Sequence, residues 1–166
     1  LKVRISDAAD STVVDVSNGT FTVKGALTLT SPNGTEVWIV GETRNITWNR
    51  TGSIANVKLE YSTDAGVTYP NTIIASTDAS TGTYAWTVPD SIGNQLRVRV
   101  TDTSDATVND TSDANFEIKP SLTLSAPNGG EAWAVGTTQS VTWTKTGTIS
   151  TVKLEYSTNG FSDELE

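Results

Sequence analysis

Four carboxylates, Asp102, Asp105, Asp110 and Asp113, crowd one stretch of this chain, and Asp7, Asp10, Asp15 and Asn18 stand at the same spacing 95 positions earlier. Clustered oxygen donors in a loop between strands suit Ca²⁺, which takes six to eight oxygens. The spacing is not that of an EF-hand loop, and Asp beside Ser or Thr also builds ordinary turns by accepting from its own backbone, so both readings stay open. Asn18, Asn33, Asn45, Asn49 and Asn109 each precede a Thr by two positions and are formal N-glycosylation acceptors. Ser and Thr make up more than a quarter of the chain, so some of these matches arise by chance, and O-linked sugar stands on an equal footing. The motifs at Asn33, Asn45 and Asn49 also disappear 95 residues on, where the sequence reads Asn128-Gly-Gly, Ser140 and Thr144.

The chain has no His and no Cys. That removes the commonest general base, the thiol nucleophile and the nitrogen metal ligands. A carboxylate pair of glycosidase type would need two carboxyls held across a concave site, and no motif points to one. No catalytic residue is assigned, a non-enzyme is expected, and calcium is the only cofactor in view. Five tryptophans raise a carbohydrate platform as an alternative. Trp48, Trp86 and Trp143 alternate with polar neighbours and read as core, which leaves Trp38 and Trp133 as platform candidates, with packing the commoner use of such residues.

The elements that position these residues come from a repeat. LTLTSPNGTEVWIVGETRNITWNRTGSIANVKLEYS, Leu27 to Ser62, returns without insertion or deletion as LTLSAPNGGEAWAVGTTQSVTWTKTGTISTVKLEYS, Leu122 to Ser157. Residues 1–24 match 96–119 at the same shift, with about half the positions identical. The expected organisation is therefore the end of one repeat (1–25), one whole repeat (26–120) and the start of another (121–166). A unit of that size can bury a single core without metals or disulfides.

Period-two alternation runs throughout and predicts strands. Leu27–Thr30, Glu36–Val40, the Ile46/Trp48 segment, Val57–Ser62, Thr72–Ala75, Tyr84–Val88, Leu96–Val100 and Phe116–Ile118 all fit. Trp38 and Val40 recur as Trp133 and Val135 while Val37 and Ile39 shrink to Ala132 and Ala134, so Trp38 and Val40 are assigned inward. Lys58 and Glu60 should lie near Arg97 and Arg99 on the opposite face, where a solvated sheet surface is the commoner use and a charged binding face the rarer. Seven or eight short strands with turn residues every 8–12 positions predict an all-β fold, as tandem immunoglobulin- or fibronectin-III-like β-sandwiches.

The residues L-T-L-x-x-P-N-G-x-E-x-W-x-V-G, then [IV]-T-W and V-K-L-E-Y-S-T, resemble the Ser/Thr-rich, GPI-anchored (KNH-like) wall-glycoprotein family. The likeness is nearer to tandem Ig-like repeats of that type in large secreted bacterial and archaeal surface proteins. Tyr84–Pro89 and Leu96–Asp102 fit the same pattern. The resemblance implies a β-sandwich and placement at the cell surface, carries no functional residues, and implies a spacer or stalk rather than an enzyme.

A net charge of −8 argues against a phosphate-tracking surface and so against nucleic acid as a partner. No apolar run approaches the ~20 residues of a membrane span. The sequence cuts the repeat at both ends. We expect either a window on a longer array completed by neighbours or a truncated piece, the latter favoured if Leu165-Glu166 were of vector origin. The leading expectation is a structural rod, stalk or filament outside the cell, with adjacent repeats or other copies of the chain as partners. An adhesion or glycan-binding module is the alternative.

Overall fold

The computed structural model describes residues 1–161; Leu165 and Glu166 lie outside the described residues. At the N-terminus β1 (Arg4–Ser6) and β2 (Val14–Val16) form a two-stranded antiparallel sheet. The central segment carries β3 (Ala26–Ser31), β4 (Val37–Ile39), β5 (Thr43–Thr51), β6 (Asn56–Ser62), β7 (Asn71–Asp78), β8 (Thr83–Thr87), β9 (Gly93–Asp102), β10 (Asn109–Thr111) and β11 (Phe116–Lys119). There β3-β5-β8 make a three-stranded sheet, and β4-β11-β9-β6-β7, with β10 added to β9, make a six-stranded one. Finally β12 (Ser121–Ala126) pairs with β13 (Thr142–Thr146).

Between the two central sheets lies one apolar core. Leu27, Leu29, Ile46, Trp48 and Trp86 come from the three-stranded side, and Trp38, Val57, Leu59, Leu96, Val98, Val100, Phe116 and Ile118 from the other; all are buried. The inward assignment of Trp38 holds, with Val40 partly buried against the same core. Trp38 meets Trp86 edge-on at 5.9 Å and Phe116 at 5.1 Å, and Tyr61 closes the group at 5.3 Å from Trp86. Trp48 donates its indole N–H to the Ala79 carbonyl at 3.1 Å, so its polar edge is not stranded in the core.

The chain is all-β, but the expected tandem of immunoglobulin- or fibronectin-III-like sandwiches is overturned. Four separate sheets are present among the described residues rather than one repeated two-sheet unit. The large sheet is mixed, because β4 runs parallel to β11 with Ile118 opposite Trp38. Alternation reveals which side chains need cover but not which strand supplies it, and these pairings join residues far apart in sequence. The flanks carry strands without an opposing sheet. Trp143, assigned to a core, is 39% exposed, and Trp133 is 46% exposed.

Local pairing nevertheless repeats. β1–β2 takes the register of β9–β10: Ile5 faces Asp15 as Val100 faces Asp110. β12–β13 takes that of β3–β5: Leu124 faces Trp143 as Leu29 faces Trp48, with the irregularity after Leu124 matching the one after Leu29. Turn chemistry repeats as well. The Glu36 carboxylate accepts from the Asn33 and Gly34 N–H groups, and Glu131 does the same for Asn128 and Gly129.

Candidate functional site

Each of the four clustered aspartates is committed to a separate structural bond. Asp102, buried at the end of β9, accepts from the Ser104 N–H at 2.8 Å. Asp105 accepts from the Thr107 N–H and hydroxyl at 3.0 and 2.6 Å and pairs with the Lys24 ammonium at 2.8 Å. Asp110 Oδ2 accepts from the Leu29 N–H at 2.7 Å, tying β10 to β3. Asp113 accepts from the Asn33 side-chain amide at 2.7 Å. No group of three or more metal-ligating His, Cys, Asp or Glu side chains assembles among the described residues. The N-terminal copy uses Asp7 and Asp10 likewise, Asp7 accepting from Ala9 N–H and Asp10 from Thr12.

The glycosylation candidates separate by what their amides do. Asn33 is fully engaged, donating to Asp113 and accepting from its N–H at 2.8 Å. A signal for this was present in the sequence: the next repeat keeps the amide as Asn128 but replaces Thr35 by Gly130. Asn109 donates to the Ala106 carbonyl at 2.9 Å. Asn18 is exposed in the N-terminal segment, and Asn45 and Asn49 are exposed on β5.

On the outer face of the large sheet, Glu60 stands opposite Arg99, as expected from the pairing of β6 with β9. Glu60 bonds Lys58 at 2.5 Å and Arg99 at 2.8 Å, and Arg99 also lies 4.2 Å from the centre of the Tyr69 ring. Arg97 instead donates to Asn115 Oδ1 at 2.8 Å and the Ser112 carbonyl at 3.2 Å. Glu60 is not the open surface residue expected, for these neighbours leave it 7% exposed. Burial pushes its carboxyl up, but the bonds and charges of Lys58 and Arg99 outweigh this and hold it below its ordinary value. Beside them lies a shallow hollow of about 410 Å³, lined in part by Lys58, Glu60, Arg99 and Asn109. Of its charged lining, Lys58, Glu60 and Arg99 are paired with one another, whereas Asp102 accepts only from the Ser104 N–H and the buried Arg99 Nε has no hydrogen-bond partner among the described residues.

Two clusters that no motif announced join the repeats. At the first junction Lys24 bonds both Asp105 and the Thr107 hydroxyl. The Lys24 bond and the Thr107 bonds together pull the Asp105 carboxyl down to about 2. Gly25 fits beneath Ile54: a Cβ there would come within 2.9 Å of the Ile54 side chain and of the Thr51 carbonyl. At the second junction the Thr148 hydroxyl donates to Asp90 at 2.5 Å and its N–H at 3.1 Å, lowering the Asp90 carboxyl. Gly147 sits against Val40 there, where a Cβ would come within 3.0 Å. Asp90 could not be found from the repeat, because its counterpart would fall before residue 1.

No helix among the described residues is long and apolar enough to cross a membrane. No family model, no curated protein and no solved structure matches the chain. The likeness to wall glycoproteins therefore rests on the motifs quoted above.

Proposed function

We propose that this chain is a non-catalytic structural segment in which 95-residue units follow one another in a semi-rigid rod outside the cell. The observation that carries the reading is the pair of pinned junctions, Lys24 on Asp105 and Thr148 on Asp90. Carried through the 95-residue shift, both pins belong to one kind of junction, since Lys119 answers to Lys24 and Thr148 to Ser53. Polar pins at two points of one boundary resist hinge motion more than a bare linker would. The acidic, Ser/Thr-rich composition is the support for an extracellular placement.

Covalent concatemers of two, three and four units test this by small-angle scattering. The maximum dimension should grow by a constant increment of roughly 30–40 Å per unit, the order of the nine-residue β5 strand plus its turns. Increments that shrink as units are added would overturn the rod. An adhesive or glycan-binding module using Trp133 is the alternative reading. Glycan-array binding abolished by Trp133→Ala would put that reading in its place.

A further inference from the structure

The hollow on the outer face of the large sheet is lined entirely by residues of the central unit. β6, β7 and β9 supply Lys58, Glu60, Ala75, Arg99 and Thr101, and the β9–β10 turn with Asn109 supplies the rest. Its volume of about 410 Å³ falls within the roughly 300–1,000 Å³ of small-molecule sites.

The lining is held in place by bonds of its own. Arg99 is fixed between the Glu60 carboxylate, 2.8 Å away, and the Tyr69 ring, whose centre lies 4.2 Å from the guanidinium carbon. The Thr103 N–H and hydroxyl both donate to the Asn56 carbonyl, at 3.1 and 3.2 Å, which ties the β9–β10 turn to β6. Within the turn, the Asp102 N–H donates to the Val108 carbonyl and the Val108 N–H to the Asp105 carbonyl, each at 2.9 Å. Lys24 clamps the same turn from the preceding linker through Asp105 and Thr107. A site built this way loses little conformational freedom when a ligand enters.

The bonds that the lining has not spent define the ligand. The Arg99 Nε–H is buried without a partner among the described residues, a state that native structures seldom leave without a role. Lys58 commits one of its three ammonium N–H groups to Glu60. Among acceptors, Asp102 keeps a carboxylate oxygen beyond its bond to Ser104, and Asn109 keeps its side-chain oxygen while its amide donates to Ala106. The Thr101 hydroxyl has no partner among the described residues.

Charge narrows the choice further. Lys58 and Arg99 are balanced by Glu60 and Asp102, so an anion or a cation would meet as much repulsion as attraction. Free donors and free acceptors share one lining, so each polar group of the ligand has to give and take hydrogen bonds. A hydroxyl does both. Ala75 and Ala106, both exposed, add small apolar surface for the C–H groups of a sugar ring.

We propose that this hollow binds a neutral sugar unit of a glycan, its hydroxyls shared between Asp102, Thr101 and Asn109 as acceptors and Lys58 and Arg99 as donors. The proposal goes beyond the rod and does not depend on it. It also differs from the alternative built on Trp133, which lies outside the central unit.

Amide NMR titration of the full chain tests it, with lactose, maltose and cellobiose as probes and glucuronate and glucosamine as charged counterparts. At least one neutral disaccharide should shift the Thr101, Asp102, Ala106 and Asn109 amides with a dissociation constant of the order of millimolar, and the charged sugars should shift them less. Ala106→Trp fills the hollow and should abolish the shifts, while the unfolding midpoint stays in place because Ala106 is exposed in a turn. Thr101→Val keeps the side-chain shape without the hydroxyl and should weaken binding about threefold to tenfold. Lys24→Ala should weaken it by a smaller factor, and Trp133→Ala should leave it unchanged. No shift at these amides with any neutral disaccharide at about 50 mM, a preference for glucuronate or glucosamine, or shifts that survive Ala106→Trp would each overturn the proposal. Concatemer dimensions do not enter any of these outcomes, so the rod stands or falls separately.

Discussion

Residues 27–62 and 122–157 share most of their sequence and their hairpin registers, yet one is core and the other surface. Leu29 is 2% exposed and Leu124 46%; Trp48 is 3% exposed and Trp143 39%; Leu59 is buried outright and Leu154 is 58% exposed. The hairpin β12–β13 forms in both settings because its ladder and turn bonds are local. The strands corresponding to β4 and β6 form only where a neighbour is present to pair with them. Strand identity in this chain is thus decided at two levels: hairpins by adjacent sequence, single strands by distant partners.

Paired substitutions offer the sharpest ways to break that comparison. Trp48→Ala should destabilise the central unit by about 3–5 kcal/mol, the usual loss for a buried aromatic, while Trp143→Ala in the monomeric chain should cost under about 1 kcal/mol. Denaturant titration reads both, and equal losses would mean that the two tryptophans share one environment. Ser112 comes next. Its buried hydroxyl donates to the Pro32 carbonyl at 2.7 Å and accepts from the Val98 N–H at 2.9 Å. Ser112→Ala should cost about 1–3 kcal/mol, whereas Ser17→Ala, at the matching but more exposed bond to Val3 N–H, should change the midpoint by a few tenths at most.

Glu60→Gln should cost about 1 kcal/mol, because Lys58 and Arg99 are both more than a third or close to a third exposed and recover part of the loss from water. Glu155→Gln should leave the monomer unchanged. The smallest effect separates Asp105 from Asp10. Both accept from a Thr two residues on, but Asp105 alone holds Lys24, and it is lowered to about 2 from an ordinary 3.8. A lowered carboxyl stabilises the fold above its unfolded value and loses that contribution as pH falls through the folded value. The Lys24 junction should therefore loosen as pH falls from about 3.8 toward 2. Carboxyl-carbon NMR titration should give Asp105 the lower midpoint of the pair, and Lys24→Ala should bring it up toward Asp10.

Much of the candidate site was illegible for a shared reason. Asp110 on Leu29, Asp113 on Asn33 and Thr148 on Asp90 each join residues far apart in the chain, and nothing in the spacing of an aspartate names a partner that distant. The carboxylate cluster looked like a cation site because its members are close in sequence. The fold points them at different partners.

The amino-acid sequence by itself determined the 95-residue period, the all-β character, the inward face of Trp38, Trp48, Leu59 and Val98, and the absence of thiol and imidazole chemistry. These follow from side-chain type and from the two-residue alternation of an extended backbone, which are local properties. Only the tertiary structure decided that β4 runs parallel to β11, that four sheets form instead of repeated sandwiches, and that Trp143 stays at the surface. Burial is a property of whatever lies opposite a side chain, and identical stretches acquire different burial when only one of them is faced by a second sheet.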